Sequence, residues 1–197
     1  MTRATADPAL RDTIVDAALR LGEERGWDAV HLYEVAQAMG EPLAEVARHF
    51  EHKDAVAEAW FDRAECMLLA APQAPGWGGL SVAERLHGAI FAWLDALAPH
   101  RRLALQMLRY KLQPEHLHLQ ALGALRVSRT VQWVREAAAL PATGWRREAE
   151  EAVLTTIYLA TFARWLRDDS PGARDTRDFL TRWLARAEFV ARRLPGT

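Results

Sequence analysis

Apolar residues recur along most of the chain at the spacing of one helix face. Between residues 8 and 25 they lie three or four positions apart, on one side of an amphipathic helix; they are Leu10, Ile14, Ala17, Ala18 and Leu21. Asp7 followed by Pro8 predicts the start of this helix, because aspartate can accept a free backbone N–H and proline lacks one. Gly26 predicts its end.

The same spacing predicts helices over the rest of the sequence. The predicted segments are Leu32–Met39 before Gly40, Pro42 to about His49, Lys53 to about Ala70, 81–97 before Pro99, 101–112, 115–139, 145–167 and 174–194. Residues 71–80 (APQAPGWGGL) are typical of a linker, and Ser81 with Glu84 predicts a capping box. No useful length of β-alternation occurs, so we expect an all-α protein of about nine helices.

Composition narrows the class of protein. Half of the 197 residues are hydrophobic and 26% are charged, as in ordinary globular domains. No segment reaches the ~20 uninterrupted apolar residues of a membrane span, and the first twelve residues lack the apolar core of a secretory signal. Cys66 is the only cysteine, which excludes an internal disulfide and a thiol zinc site and favours a reducing cytoplasm.

Residues 14–56 have the helix lengths and the turn glycine that are typical of a helix-turn-helix. This motif needs a short helix, a tight turn with a glycine able to take a left-handed conformation, and a second helix that enters the major groove. Ala36 supplies a small residue where the helices cross, and Gly40 supplies the turn. The compact core is predicted to consist of Leu32, Val35, Val46 and Phe50.

These residues resemble the N-terminal motif of the tetracycline-repressor (TetR) family. The matching features are Gly26-Trp27, Val35-Ala36 with Gly40, and Arg48-His49-Phe50 followed by Lys53. The resemblance implies a TetR-like fold, with a three-helix helix-turn-helix DNA-binding domain over residues 1–53 and a helical ligand-binding and dimerisation domain over residues 54–197. It implies a transcriptional regulator, expected to be a repressor, that binds operator DNA as a homodimer and responds to a small apolar effector.

The resemblance also assigns the DNA contacts. It implies that residues 41–50 form the recognition helix and that Lys53, at the start of the next helix, donates to a phosphate. The candidate DNA-binding residues are Pro42, Leu43, Glu45, Arg48, His49 and Lys53.

Several positions depart from the family pattern. Members usually carry a small hydroxyl residue in place of Pro42, threonine in place of Glu45 and tyrosine in place of Ala47, and those hydroxyls donate to phosphates. Residues 1–60 hold six cations and twelve anions, a net charge of −6, whereas the remainder is +5. Because DNA affinity depends on cations, a second hypothesis stays open: a protein of the same fold that binds lipid or another hydrophobe, with a helix-turn-helix kept only for packing.

The end of the chain carries a second resemblance. Its features are Tyr158, Thr161, the run Trp165-Leu166-x-Asp168-Asp169-Ser170-Pro171, Asp175-Thr176 and Phe179-Leu180. They are similar to the closing segment shared by some TetR-type regulators and by the ubiquinone-biosynthesis lipid-binding family, whose members have the same fold and bind isoprenoid lipids without DNA.

The last predicted helix has a broad apolar stripe. In the TetR fold, the last two helices commonly pair with their copies across a two-fold axis. The candidate dimer-interface residues are Phe179, Leu180, Trp183, Leu184, Ala187 and Val190. The alternative is that the stripe packs only within its own chain.

Aromatic residues on the helices of the C-terminal domain are candidates for an effector pocket. The candidate lining residues are Trp93, Met107, Tyr110, Trp133, Tyr158, Phe162 and Trp165. Since no stripe of convergent charges is visible on these helices, we expect an uncharged or weakly charged ligand. The alternative is that these aromatic residues are plain core.

Other constellations do not support an enzyme. The histidine pairs His49/His52 and His116/His118 lack the carboxylates or thiols of a metal site, so we expect no metal and no cofactor. The chain has no glycine-rich phosphate loop and no nucleophile elbow.

Overall fold

The computed structural model describes residues 7–111, 117–191 and 193. These residues form nine α-helices and no β-strand, which confirms the all-α class. The helices are α1 (Pro8–Arg25), α2 (Leu32–Met39), α3 (Leu43–His49), α4 (Lys53–Ala70), α5 (Val82–Leu97), α6 (Arg101–Lys111), α7 (Leu117–Ala137), α8 (Gly144–Trp165) and α9 (Arg174–Ala191). The predicted helix ends at residues 112, 115 and 194 lie outside the described residues.

The starts of α1 and α5 have the caps that the local sequence predicts, whereas α7 and α8 end at Ala137 and Trp165, two residues before their predicted ends. The Asp7 carboxylate accepts a hydrogen bond from the Ala9 N–H at 2.9 Å and caps α1. The Ser81 hydroxyl accepts from the Glu84 N–H, and the Ser81 N–H donates to the Glu84 carboxylate at 2.8 Å, which is the predicted capping box of α5. Among the described helices, none is both long enough and apolar enough to cross a membrane.

Contacts divide the chain into two compact units. The first unit is Met1–Arg63 with His100–Leu117, and the second is Ala64–Pro99 with His118–Thr197. The first unit therefore includes the start of α4 and the whole of α6 in addition to the predicted helix-turn-helix domain. The predicted domain boundary after residue 53 stays a prediction.

The first unit has a core formed by α1, α2, α3 and α6. Ile14, Val15, Val35, Val46 and Phe50 are buried. A Cβ on Gly22 of α1 would lie 3.0 Å from the Leu103 side chain of α6, so the glycine allows the two helices to approach closely. The backbone N–H of buried Trp27 donates to the Gln106 side chain at 2.6 Å. Together these contacts attach α6 to the helix-turn-helix.

The second unit packs α5, α8 and α9 around a shared apolar core. The buried apolar residues include Leu94, Leu97, Leu154, Ile157, Leu180 and Leu184. Arg177 of α9 forms an ion pair with Asp95 of α5 at 2.7 Å, and its guanidinium lies 3.9 Å from the centre of the Phe91 ring. Apolar burial and a stacked cation thus hold the last helix against α5.

Candidate nucleic-acid interface and effector site

The helix-turn-helix is formed by α2, a glycine turn and α3. Gly40 adopts the left-handed conformation, with φ +71° and ψ +19°, and ends α2. Glu41 donates its N–H back to the Ala36 carbonyl at 3.0 Å, which closes the helix end in the manner of a Schellman motif. Pro42 then caps α3 in an extended conformation. The predicted turn and second helix are therefore both present.

One face of α3 is exposed and the opposite face is buried. Leu43 is 49% exposed, and Ala44, Ala47 and Arg48 are also exposed. Val46 packs into the core of the first unit. The side chain of His49 is only 1% exposed, so its ring belongs to the buried face, and the DNA contact by His49 stays a prediction.

Glu45 and Arg48 form an ion pair along α3. The Arg48 guanidinium lies 2.5 Å from the Glu45 carboxylate, one helical turn apart. The carboxylate is therefore partly neutralised, and Arg48, a candidate DNA-binding residue, is already paired. A DNA contact by Arg48 would exchange one partner for another.

Lys53 is bound within the first unit. Its ammonium donates to the carbonyls of Trp27 and Asp28 at 3.1 and 3.2 Å, and it lies 5.7 and 5.1 Å from the ring centres of Trp27 and Tyr110. Burial lowers the pKa of Lys53, and the charges of Asp28 and Asp54 only partly oppose that effect. A phosphate contact by Lys53 requires that it leave both carbonyls.

Arg11 is a cation that the sequence reasoning missed. Its guanidinium lies 4.5 Å from the centre of the Phe50 ring, directly after the last residue of α3. Arg11 is half-exposed and stands on α1, far from the segment in which the sequence places the DNA contacts. A local motif carries no signal for it, because only folding brings α1 beside the end of α3.

Four of the predicted pocket residues form an aromatic cluster in the second unit. The Trp93 ring centre lies 5.5 Å from that of Tyr158 and 5.4 Å from that of Phe162, and Phe162 lies 6.0 Å from Trp165. The remaining predicted members lie elsewhere: Met107 and Tyr110 belong to the first unit, and Trp133 is 39% exposed on α7.

The second unit also buries charge, contrary to the sequence interpretation. Glu65 of α4 is 6% exposed; its carboxylate accepts from the Thr130 hydroxyl at 2.9 Å and pairs with Arg126 at 3.2 Å and Arg129 at 3.1 Å. Burial, and then the charge of Glu65, raise the pKa of Tyr158, so its phenol stays neutral. The expectation that the helices of the C-terminal domain carry no convergent charges is therefore wrong. The sequence pattern did not reveal this cluster, because Glu65 and Arg126 lie far apart in the sequence.

A surface depression of about 650 Å³ lies at the end of α8. It is lined mainly by charged and polar residues: Arg164, Arg167, Asp168, Asp169, Ser170 and Asp175. It includes none of the predicted pocket residues. The aromatic cluster and this depression are separate features of the second unit.

Comparison with known proteins identifies the family of this chain. It is 45% identical to a TetR transcriptional regulator from Nitrosomonas europaea, with 93% of this chain and 99% of that chain covered and a TM-score of 0.83. The chain belongs to the TetR family of transcriptional regulators. The resemblance carried by Gly26-Trp27, Gly40 and Lys53 is thereby confirmed.

More distant structures share the TetR fold. A TetR regulator from Rhodococcus sp. RHA1 is 17% identical over 91% of this chain and 95% of its own, with a TM-score of 0.63. Thermus thermophilus FadR, solved in complex with lauroyl-CoA, is 21% identical over 89% of this chain and 91% of its own, with a TM-score of 0.57. The COQ9 family model matches residues 147–193, which supports the second resemblance. No curated protein matches the chain.

The last two helices of this TetR-family chain expose a set of uncharged side chains, two of which lie beside arginines: Arg186 is over the Trp183 ring and Arg164 is over the Phe179 ring. On α9, Leu180 and Leu184 are buried within the chain, whereas Trp183 and Val190 are exposed and Phe179 and Ala187 are half-buried. On α8, a face missed by the sequence reasoning is exposed and uncharged over three turns: Ala152, Val153, Thr156, Leu159, Ala160 and Ala163. We define these exposed and half-buried residues of α8 and α9 as the α8/α9 surface.

Proposed function

We propose that this TetR-family protein is a repressor that binds operator DNA as a dimer and responds to a small effector. The observation that carries the proposal is the helix-turn-helix, in which the left-handed turn at Gly40 precedes an α3 helix with one exposed face. A recognition helix needs such a free face to enter the major groove. A regulator of this kind would act in the cytoplasm, beside the chromosome.

The proposed DNA contacts follow from exposure. Pro42, Leu43 and the Glu45–Arg48 pair lie on or beside the free face of α3, and Arg11 lies beside its end. Lys53 takes part only if it exchanges two carbonyls for a phosphate, so we expect a smaller contribution from Lys53 than from Arg48. This set contains few cations, so we expect DNA affinity to be weak and to depend only slightly on salt concentration.

Fluorescence anisotropy with a labelled duplex from the protein's own upstream region tests DNA binding. We expect that Arg48→Ala and Arg11→Ala each weaken binding and reduce the slope of log affinity against log salt by about one. Arg146→Ala, in the second unit, is the matched control and should leave the slope unchanged. Absence of binding by the wild-type chain at low salt would contradict the proposal.

The structure also favours a second candidate, a TetR-fold hydrophobe-binding protein that does not bind DNA. Lys53 is bonded to backbone carbonyls and Arg48 is paired with Glu45, so both cations among the candidate DNA-binding residues have partners inside the chain. Glu45→Thr discriminates between the candidates, because it frees Arg48, removes a negative charge and adds a donor. Tighter binding supports the regulator; undetectable binding at low salt supports the second candidate.

The α8/α9 surface supports the proposed dimer. Exposed apolar patches mark interaction sites, and a two-fold axis places the same patch on both partners. The exposed half of the α9 stripe would meet the partner while Leu180 and Leu184 hold α9 to its own chain. We expect more than about 1,200 Å² of total buried area, the lower end for stable complexes.

The aromatic cluster supports an effector site in the second unit. Trp93, Tyr158 and Phe162 offer apolar ring faces, and the Glu65 cluster adds a polar end beside Tyr158. We therefore extend the predicted apolar effector to molecules with an apolar body and one polar group. Tryptophan-fluorescence titration with dodecanoate and with lauroyl-CoA, the ligand of the Thermus thermophilus FadR complex, tests this extension; Phe162→Ala should weaken any quenching, and no quenching by either probe would contradict it.

A further inference from the structure

The free face of α3 is apolar at its centre. Leu43, Ala44 and Ala47 project within about 100° of one another, as the helical rotation of 100° per residue requires for positions i, i+1 and i+4. All of them are exposed. Arg48 stands at one edge of this face and is held by Glu45 at 2.5 Å. His49 and Val46 point away from it, into the core.

A face of this chemistry matches only one feature of the major groove. Guanine, adenine and cytosine present hydrogen-bonding groups there, whereas thymine also presents the C5-methyl group, to which alanine and other apolar side chains make contact. An apolar side chain pressed against a base donor or acceptor removes water without replacing its hydrogen bond, which is unfavourable. A thymine methyl group has no hydrogen bond to water to lose, and the contact buries apolar surface.

We propose that Leu43, Ala44 and Ala47 read thymine methyl groups, so that each operator half-site is defined by thymines at the positions facing α3. Arg48 adds a guanine contact only where it exchanges Glu45 for a base. This inference rests on the proposed DNA-binding function, and it names the base chemistry that function recognises.

The first step of the test is selection of duplexes from a random DNA library with the full-length protein. We expect enriched positions to be dominated by A·T pairs of fixed orientation. Each enriched thymine is then replaced by uracil, which lacks only the C5-methyl group. Affinity measured by anisotropy should fall about fourfold at each thymine that faces α3, the change expected when one buried methyl-sized group is lost.

The second step assigns the contact to a residue. In Leu43→Ala, the uracil effect should disappear at one position and persist at the others, because the contact to that methyl is already lost. Leu69→Ala, an equally truncated and 41% exposed leucine on α4, should leave every uracil effect unchanged.

The outcomes separate the two proposals. If no duplex is enriched and none binds at low salt, DNA binding itself is wrong, and the thymine inference falls with it. If duplexes are enriched but uracil binds as well as thymine, or guanines dominate the selected positions, the thymine inference alone is overturned and DNA binding stands.

Discussion

Lys53 shows how one residue can serve the fold in a position that the sequence assigns to DNA. Its ammonium satisfies the carbonyls of Trp27 and Asp28 and lies over two aromatic rings. Hydrogen bonds to charged groups contribute about 1.5–3 kcal/mol each in favourable settings. We therefore expect Lys53 to contribute more to the stability of the fold than to DNA affinity.

We expect Lys53→Ala to lower the free energy of unfolding by about 1–3 kcal/mol, because both carbonyls lose the ammonium donor and the Trp27 carbonyl keeps only the Val30 N–H. Arg48→Ala is the matched control: it removes a cation from the same predicted site, but an exposed ion pair contributes at most about 1 kcal/mol. Denaturant unfolding measures both. Equal, small effects of the two substitutions would show that Lys53 is not structural.

Asp168 is a second residue whose role is structural. Its carboxylate accepts from the N–H and hydroxyl of Ser170 and from those of Thr176, and so joins the end of α8 to the start of α9. Burial opposes ionisation of Asp168, but these hydrogen bonds outweigh it and lower the pKa of the carboxyl.

We expect Asp168→Asn to cost about 2–3 kcal/mol at pH 7, since the amide turns one acceptor into a donor that faces donors. A folded-state pKa below the unfolded value of about 3.9 means that the unfolded chain binds more protons in between. The stabilisation is therefore complete above about pH 5 and is lost as pH falls through the folded-state pKa. Unfolding measured from pH 7 to pH 3 should show the wild-type advantage over Asp168→Asn shrinking; at pH 7, Asp169→Asn at the exposed neighbour is the control and should cost less than Asp168→Asn.

At the scale of elements, the segment between α4 and α5 is attached by Trp77. The Trp77 ring covers Gly88 of α5, where an added Cβ would lie 2.9 Å from a ring carbon. The Trp77 indole N–H donates to the Ala137 carbonyl at the end of α7, at 3.2 Å. The segment has the composition of a free linker, but through Trp77 it contacts both α5 and α7 of the second unit.

The substitution Gly88→Ala should separate two effects on stability: the local helix propensity of residue 88 and its tertiary contact with Trp77. In an exposed helix interior, Gly→Ala stabilises by about 1 kcal/mol, but at Gly88 we expect a net loss because the Trp77 ring must move. Gly123→Ala in α7, where an added Cβ meets nothing within 4 Å, is the matched control and should stabilise. Thermal unfolding measures both; in a Trp77→Leu background, Gly88→Ala should become favourable.

At the scale of the whole molecule, the α8/α9 surface decides assembly. Trp183→Arg places a charge on its exposed part, where Trp183 is 42% exposed, and should convert the proposed dimer to a monomer at micromolar concentration in light scattering. Met67→Arg, at a still more exposed apolar residue on α4, should leave the mass unchanged. A wild-type chain that is already monomeric would contradict the proposed interface.

The helix boundaries and the family could be predicted from the sequence. Asp7-Pro8, Gly40 and the Ser81–Glu84 box act through backbone groups only a few residues away, so their effects are visible in a short window of sequence. The TetR motif is likewise a local pattern around one glycine turn.

The bonding partners and the burial of individual side chains were decided by the tertiary structure. The binding of Lys53 to Trp27, the burial of Glu65 against Arg126, and the division of the α9 stripe into buried Leu184 and exposed Trp183 all depend on partners from other helices. A residue's type sets which bonds it can form, but its neighbours determine which bonds it does form. Those neighbours are brought together only when the helices pack, and no short window of sequence contains them.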